Sequence, residues 1–314
     1  MKLKIILILL ITISLATKCL SLIEICSDPN RYSRILLDKV NEQIDCLFLG
    51  NGETPFIYSV PMHSKSVWRK FFNLPDGYIN LLWRNPITGD FIVGDNSLQP
   101  DGHRSATIFN TTSRELGKVI SSSSLNTAYK NYFSVANAGS FAYDPTNNLI
   151  YMCSVYERGV FPLTSTSMDK ATVGIRETGT CEQIRIMNNV FYFLDFALNG
   201  TKSNIYSNTT GELFNHYASS PILVSDTTIK DFDVSSTHLY YANSFTNKLF
   251  EIPLPSLKNY SPKREILNFM PDSFGYHNGY IYYSFKNSLK KISVDPNSNS
   301  KPELIYDFDT TGSY

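Results

Sequence analysis

Charge of one sign is missing from this 314-residue chain. Lys plus Arg and Asp plus Glu number 28 each, for a formal net charge of zero, and charged residues make up 18% of the sequence. Without a basic excess, nucleic acid and anionic membrane surfaces are excluded as main partners. Long apolar runs are missing too. Beyond the first twenty or so residues nothing approaches the ~20 apolar residues a spanning helix needs, so no membrane span is expected. Motifs that announce chemistry are absent: no GxSxG, HExxH, Gly-rich phosphate loop or EF-hand loop occurs. Cysteine is sparse, and no pair has the CxxC spacing of a zinc or redox site. The five histidines, His63, His103, His216, His238 and His277, show no mutual ligand spacing.

What is present begins with an address. Lys2 and Lys4 precede an apolar run, Ile5 to Leu15, and small residues follow at Ala16 and Ser21. The run is too short to span a bilayer and has the form of a secretory leader. We therefore expect residues 1–21 to be a signal peptide and residues 22–314 a single, secreted domain, monomeric in solution. Cysteine usage suits export. Cleavage after Ser21 removes Cys19 and leaves Cys26, Cys46, Cys153 and Cys181, for which three pairings exist. Structural disulfides are the expectation, and pairing Cys26 with Cys46 and Cys153 with Cys181 closes the shortest loops. Asn110, Asn199, Asn208 and Asn259 each open an N-x-[ST] sequon in a turn-like segment, so a glycoprotein is expected.

The chain is otherwise rich in Tyr and Phe, 20 of each. Ile229 to Leu254 reads as three short strands broken by Ser, Asn and Thr, with a fourth over Arg264–Phe269. That unit recurs. Apolar runs following a polar turn start at Leu47, Phe91, Leu149, Val190, Leu239 and Ile281, at intervals of 41 to 58 residues. The turns carry Asp-Pro, Asn-Asn, Asn-Gly and Thr-Gly-Asp, where Pro presets φ and Gly or Asn tolerates positive φ. Six such units fill the mature chain. The repeat logic predicts an all-β fold, a six-bladed β-propeller of four-stranded antiparallel blades, with an insertion over Ser121–Gly139. The aromatic pairs Tyr240-Tyr241 and Tyr282-Tyr283 then belong to the core rather than to a carbohydrate platform. Glu303–Phe308 should finish the last blade, and little or no strand exchange should close the ring.

The runs LYYAN, FIVGD and LFLGN resemble the YWTD-type repeats of extracellular six-bladed propellers, with Asn243, Asp95 and Asn51 at the Asp position. Cys153, Leu194 and Phe285 hold that position in the other units, and no unit has Trp there. NHL-type and gluconolactonase-like propellers fit the rhythm almost as well, and there is no close family match. The resemblance implies the architecture, not a receptor role. In a blade, the end of strand two and the start of strand one share a face. Cys153 and Cys181 should therefore meet there, between adjacent blades.

That face collects the ligand-binding candidates: Glu53 in the first unit, Asp101, His103 and Arg104 in the second, Glu157 and Arg158 in the third. Loops from every blade converge there, so the expected function is a non-enzymatic extracellular binding module without cofactor. Its partner would be an extracellular protein, a glycan or a small molecule. The alternative is a calcium-dependent lactonase or esterase. The resemblance to gluconolactonase-like propellers implies a divalent cation in the channel, and Asp76, Glu182, Asp231 and Asp272, at the starts of first strands, could supply oxygen ligands.

Overall fold

A computed structural model of the chain describes residues 34–39, 42–48, 56–62, 69–73, 79–98, 104–110, 115–120, 138–154, 159–164, 175–176, 180–196, 203–209, 222–226, 228–254, 263–286, 288–298 and 301–307. Among them every regular element is a β-strand, so no described helix is long and apolar enough to cross a membrane. The strands form four-stranded antiparallel sheets, each built from consecutive strands. The first sheet holds β1 (Arg34–Asp38), β2 (Gln43–Phe48), β3 (Phe56–Pro61) and β4 (Arg69–Asn73). The second holds β5 (Ile79–Arg84), β6 (Phe91–Leu98), β7 (Arg104–Asn110) and β8 (Glu115–Ile120). The third holds β9 (Ala138–Asp144), β10 (Leu149–Ser154), β11 (Gly159–Thr164) and β12 (Ile175–Arg176). The fourth comprises β13 (Thr180–Met187), β14 (Val190–Phe196), β15 (Ser203–Thr209) and β16 (Ile222–Asp226). The fifth comprises β17 (Ile229–Val234), β18 (His238–Asn243), β19 (Lys248–Pro253) and β20 (Arg264–Leu267). The sixth comprises β21 (Ser273–His277), β22 (Tyr280–Phe285), β23 (Ser288–Ser293) and β24 (Glu303–Asp307).

Turn chemistry sets these boundaries. Asn188 and Asn189 both have positive φ, 52° and 61°, as do Asn278 and Gly279, 46° and 82°. Two consecutive positive φ values make the hairpin turn whose twist matches the flanking strands. The longer turns are held by side chains. Asn85 Oδ1 accepts from Ile87 N at 2.9 Å, Asp144 Oδ1 from Thr146 N at 2.9 Å, and Asn243 Oδ1 from Thr246 N at 2.9 Å. Asn243 thus has a local task at the end of β18, capping the turn that follows.

One register differs from the sequence reading. β2 starts at Gln43 and ends at Phe48, so the first unit's run begins about four residues before Leu47, and Asn51 lies beyond β2 and outside the described residues. The cause is Asp45. A carboxylate in the middle of β2 breaks the apolar pattern, yet it is fully buried and held by the Ser59 hydroxyl and Arg84. The sequons also need correction. Asn110 ends β7 and Asn208 lies inside β15, rather than in turns. Asn208 is only 5% exposed, which leaves no space for a glycan on it. Asn199 and Asn259 lie outside the described residues.

The core lies between sheets. Leu194, Ile205 and Val224 of the fourth sheet pack on Phe232, Leu239 and Tyr241 of the fifth. Tyr240 and Leu249 of the fifth pack on Phe274, Ile281 and Tyr283 of the sixth. Tyr240, Tyr241, Tyr282 and Tyr283 are each at most 1% exposed, so the aromatic pairs are core. Tyr240 stacks on Tyr276 of the next sheet, with ring centroids 5.1 Å apart. Such contacts explain why no sheet could be stable alone, since each relies on its neighbours to cover its faces.

Cys153 at the end of β10 and Cys181 at the start of β13 form a disulfide, with Cα atoms 5.4 Å apart, between the third and fourth sheets. Cys26 lies outside the described residues. Cys46 stands in β2 opposite Ile35 and Tyr58, its side chain outside the description. First strands adjoin in sequence, β1 with β5, β5 with β9, β9 with β13, β13 with β17 and β17 with β21, and β21 also adjoins β1. β24 pairs with β23 and β1 with β2, so no strand is exchanged between the last and first sheets among the described residues.

Candidate functional site: a cavity bounded by six first strands

Because first strands adjoin edge to edge, their inward side chains surround one space. A cavity of about 420 Å³ is lined by residues of β1, β5, β9, β13, β17 and β21. Strand alternation says which side chains share its wall: residues two apart point the same way. In β17 these are Asp231 and Asp233, in β13 Gln183 and Arg185, in β9 Ser140 and Ala142, in β21 Ser273 and Gly275. In β1 they are Ile35 and Leu37. Contacts across the space confirm the assignment. Arg185 Nη1 donates to Ser140 Oγ at 3.3 Å, and Arg185 Nη2 lies 3.6 Å from Asp231 Oδ1. A Cβ on Gly275 would stand 2.7 Å from Leu37 Cδ1 and 3.5 Å from Asp233 Oδ2.

The two ends of the cavity differ. At the end of the β1–β2 turn, ion pairs cross it. Lys39 Nζ lies 3.2 Å from Asp233 Oδ2, although β21 intervenes between β1 and β17 in the series. Arg185 Nε approaches Asp233 Oδ1 at 3.4 Å, and the backbone N–H groups of Tyr276 and Val234 donate to the same carboxylate at 2.7 and 2.9 Å. Burial alone would raise the Asp233 pKa, but Lys39, Arg185 and these two donors hold it below the usual carboxylate range. Nearby, Arg84 Nη1 bridges Asp38 at 2.8 Å and Asp45 at 3.2 Å. Burial pushes the Asp45 carboxyl up to about 6, against the opposing pull of Arg84 and the Ser59 hydroxyl.

The other end, where first strands start, is less committed. Asp272 precedes β21, and partial burial raises its pKa against the Lys286 N–H and the Lys230 charge. Lys230 makes no ion pair among the described residues. Gln183 is spent on register: its amide bonds Lys230 O and Phe232 N, each at 3.3 Å. Ser273 is 9% exposed, and its hydroxyl has no hydrogen-bond partner among the described residues.

Of the carboxylates singled out for calcium, Asp231 and Asp272 line this one cavity. Asp76 lies outside the described residues, and Glu182 sits in β13 with its side chain outside the description. Among the described residues no three His, Cys, Asp or Glu side chains are grouped to hold a metal ion. The proposed ligand loops are not placed. Glu53, Asp101, His103, Glu157 and Arg158 lie outside the described residues, and Arg104 opens β7 opposite Leu98 with its side chain outside the description. Sequence reasoning missed Arg185, Asp233, Ser273 and Gly275. A charged pair at alternate positions in an otherwise apolar strand, as in IKDFDV, was the available signal.

No protein-family model matches the chain, and no curated protein matches it. Solved structures do. A structure of a nidogen/laminin complex aligns with TM-score 0.56 and 12% identity over 87% of this chain and 91% of that chain. The tricorn protease aligns with TM-score 0.58 and 12% identity over 88% of this chain, which spans about a quarter of that chain, 26%. U3-55K aligns with TM-score 0.53 and 10% identity, over 88% and 82%. All three are β-propeller proteins. At such identities the likeness establishes fold alone: this chain resembles the β-propellers, without a close family.

Proposed function

We propose that the six sheets are the blades of one closed six-bladed propeller. We further propose that the chain is a secreted, disulfide-bonded glycoprotein acting as a non-enzymatic binding module. One observation carries this reading: a cavity lined by both charged and apolar groups draws its wall from the first strand of every sheet, the place where a ring fold concentrates contributions from all its repeats. The leader-like N-terminus, the buried Cys153–Cys181 bridge and the absence of hydrolase motifs support export and binding over catalysis. The ligand is an extracellular protein, a glycan or a small molecule. Among the described residues Asp231 faces Arg185 and belongs to no group of three carboxylates, and no observation there favours the calcium-dependent lactonase. The test is expression with the native leader. Recovery from the medium, loss of mass with glycosidase, and ligand-induced stabilisation in a small-molecule and glycan screen are expected. Intracellular retention, or metal-dependent turnover of lactone or ester substrates, would sink the reading.

A further inference from the structure

The cavity has a shape and chemistry that narrow its occupant, and this step rests on the binding reading above. One wall is apolar, formed by Ile35 and Leu37 of β1. Facing it are planar charged groups, the Arg185 guanidinium and the Asp231 carboxylate, with side-chain exposures of 29% and 21%. Between them the walls are low, because β9 offers Ser140 and Ala142 and β21 offers Ser273 and Gly275. Ser273 shares its strand face with Gly275, whose Cβ direction points at Leu37 and Asp233. Ser273 therefore turns toward the cavity it lines, and its hydroxyl is placed to exchange a hydrogen bond with an occupant. The far end is crossed by the Lys39–Asp233–Arg185 pairs, so entry is from the side of Asp272 and Lys230.

Charge decides the class. The lining cations Lys39, Arg84, Arg185 and Lys230 are matched by Asp38, Asp231, Asp233 and Asp272. An anionic ligand meets carboxylates, and a cationic one meets guanidinium and ammonium groups. A purely apolar ligand would strand Arg185 and Asp231 without solvent, a cost that buried charges impose. The occupant that suits all walls is neutral, with one apolar face and a hydroxylated edge. We infer that the cavity binds a saccharide, as one or two pyranose rings. The C–H face of a ring lies on Ile35 and Leu37. Neighbouring hydroxyls donate to Asp231 and accept from Arg185, and one pairs with Ser273. The volume falls within the range of ordinary small-ligand pockets.

The experiment is calorimetric titration of the full secreted protein. The probes are neutral hexopyranoses, their methyl glycosides and disaccharides, with sorbitol, glycine, succinate and a simple alkylamine as controls. A glycoprotein bearing the same terminal sugar distinguishes a glycan from the free sugar as source, and binding of either supports the assignment. Pyranose binding is expected, with sorbitol, which lacks the ring face, at least about tenfold weaker. Ser273→Ala should weaken binding by about fivefold, the scale of one hydrogen bond, and Ser273→Leu, which fills the cavity, should abolish it. Both variants are checked for an unchanged melting curve. Sugar binding indifferent to both substitutions overturns the site. Preference for a charged control overturns the saccharide class and leaves the cavity a binding site. No binding by any probe overturns both the inference and the cavity's role.

Discussion

Asp45 offers a test of the buried charge cluster with a defined sign. Its carboxyl is fully buried among Ser59, Arg84 and Asp38, and burial raises its folded pKa from 3.8 to about 6. A folded pKa above the unfolded one means that the native state binds the proton more tightly. The linked stability is fully present below the unfolded value and is lost as pH rises through the folded one. At 1.36 kcal/mol per pKa unit the full span is about 3 kcal/mol, and about 1.4 kcal/mol of it disappears between about pH 5 and pH 8. Asp45→Asn mimics the protonated acid and removes this slope. Urea unfolding of wild type and Asp45→Asn across that pH range gives a difference curve in which histidines and other carboxylates cancel. Relative to wild type, the variant should gain stability steadily as pH rises. A second variant, Asp38→Asn, removes a charge that raises the Asp45 pKa and should move the midpoint of the wild-type curve to lower pH. A difference curve flat from about pH 5 to 8, or falling with pH, would refute the reasoning that desolvation outweighs Arg84 at this site.

Asp233 should behave in the opposite sense. Its pKa is depressed in the fold, so its contribution is present above the unfolded value and lost as pH falls through the folded one. Asp233→Ala leaves the Tyr276 and Val234 N–H groups without their acceptor, while Lys39 and Arg185 stay partly solvated; it should cost about 2–3 kcal/mol near neutrality in urea unfolding, and a loss under about 1 kcal/mol would contradict this. Reducing the Cys153–Cys181 bridge, which spans 28 residues, should cost about 3–4 kcal/mol by loop entropy. Melting curves of Cys153→Ser/Cys181→Ser with and without reductant check this, and an unchanged melting temperature counts against it. Gly275→Ala should destabilise by about 1–3 kcal/mol through overpacking on Leu37. Leu37→Ala should relieve part of that in the double variant, and strict additivity would deny the β21–β1 contact.

The strands were legible because their boundaries are written in turn chemistry. Asn188-Asn189 and Asn278-Gly279 admit the positive φ that a tight hairpin needs, and the aromatic runs of β18 and β22 lie where alternation put them. The first unit misled because Asp45 breaks its pattern, and its burial depends on Arg84, 39 residues later. The same limit hid the site. Asp231 and Asp272 were found because each opens a first strand, but no local pattern says that Arg185 will reach Asp233, or that Gly275 clears room for Leu37. Those pairings join different sheets, and their information is in the topology rather than in any window of sequence. The turn placement of two sequons, Asn110 and Asn208, failed differently. N-x-[ST] describes what a transferase accepts and says nothing of burial, so Asn208 could sit inside β15.

Among the described residues no strand ladder joins the last sheet to the first, since β24 ends the sixth sheet and β1 begins its own. That junction is instead held by side chains. Gly275 lets β21 approach Leu37, His277 Nε2 lies 3.8 Å from Glu42 Oε1, and Asp233 reaches past β21 to Lys39 while accepting the Tyr276 N–H. Asp233 therefore ties the fifth sheet to the fourth, the sixth and the first at once. Burying this carboxylate carries a desolvation cost that a well-packed apolar group would not incur. What the charge provides in return is direction. An apolar contact would tolerate sliding of β1 along β21, whereas a carboxylate held by three hydrogen bonds and one ion pair accepts one register. The residues that join the sixth sheet to the first also line one end of the cavity, so the geometry of that end and of that junction is set by the same few atoms.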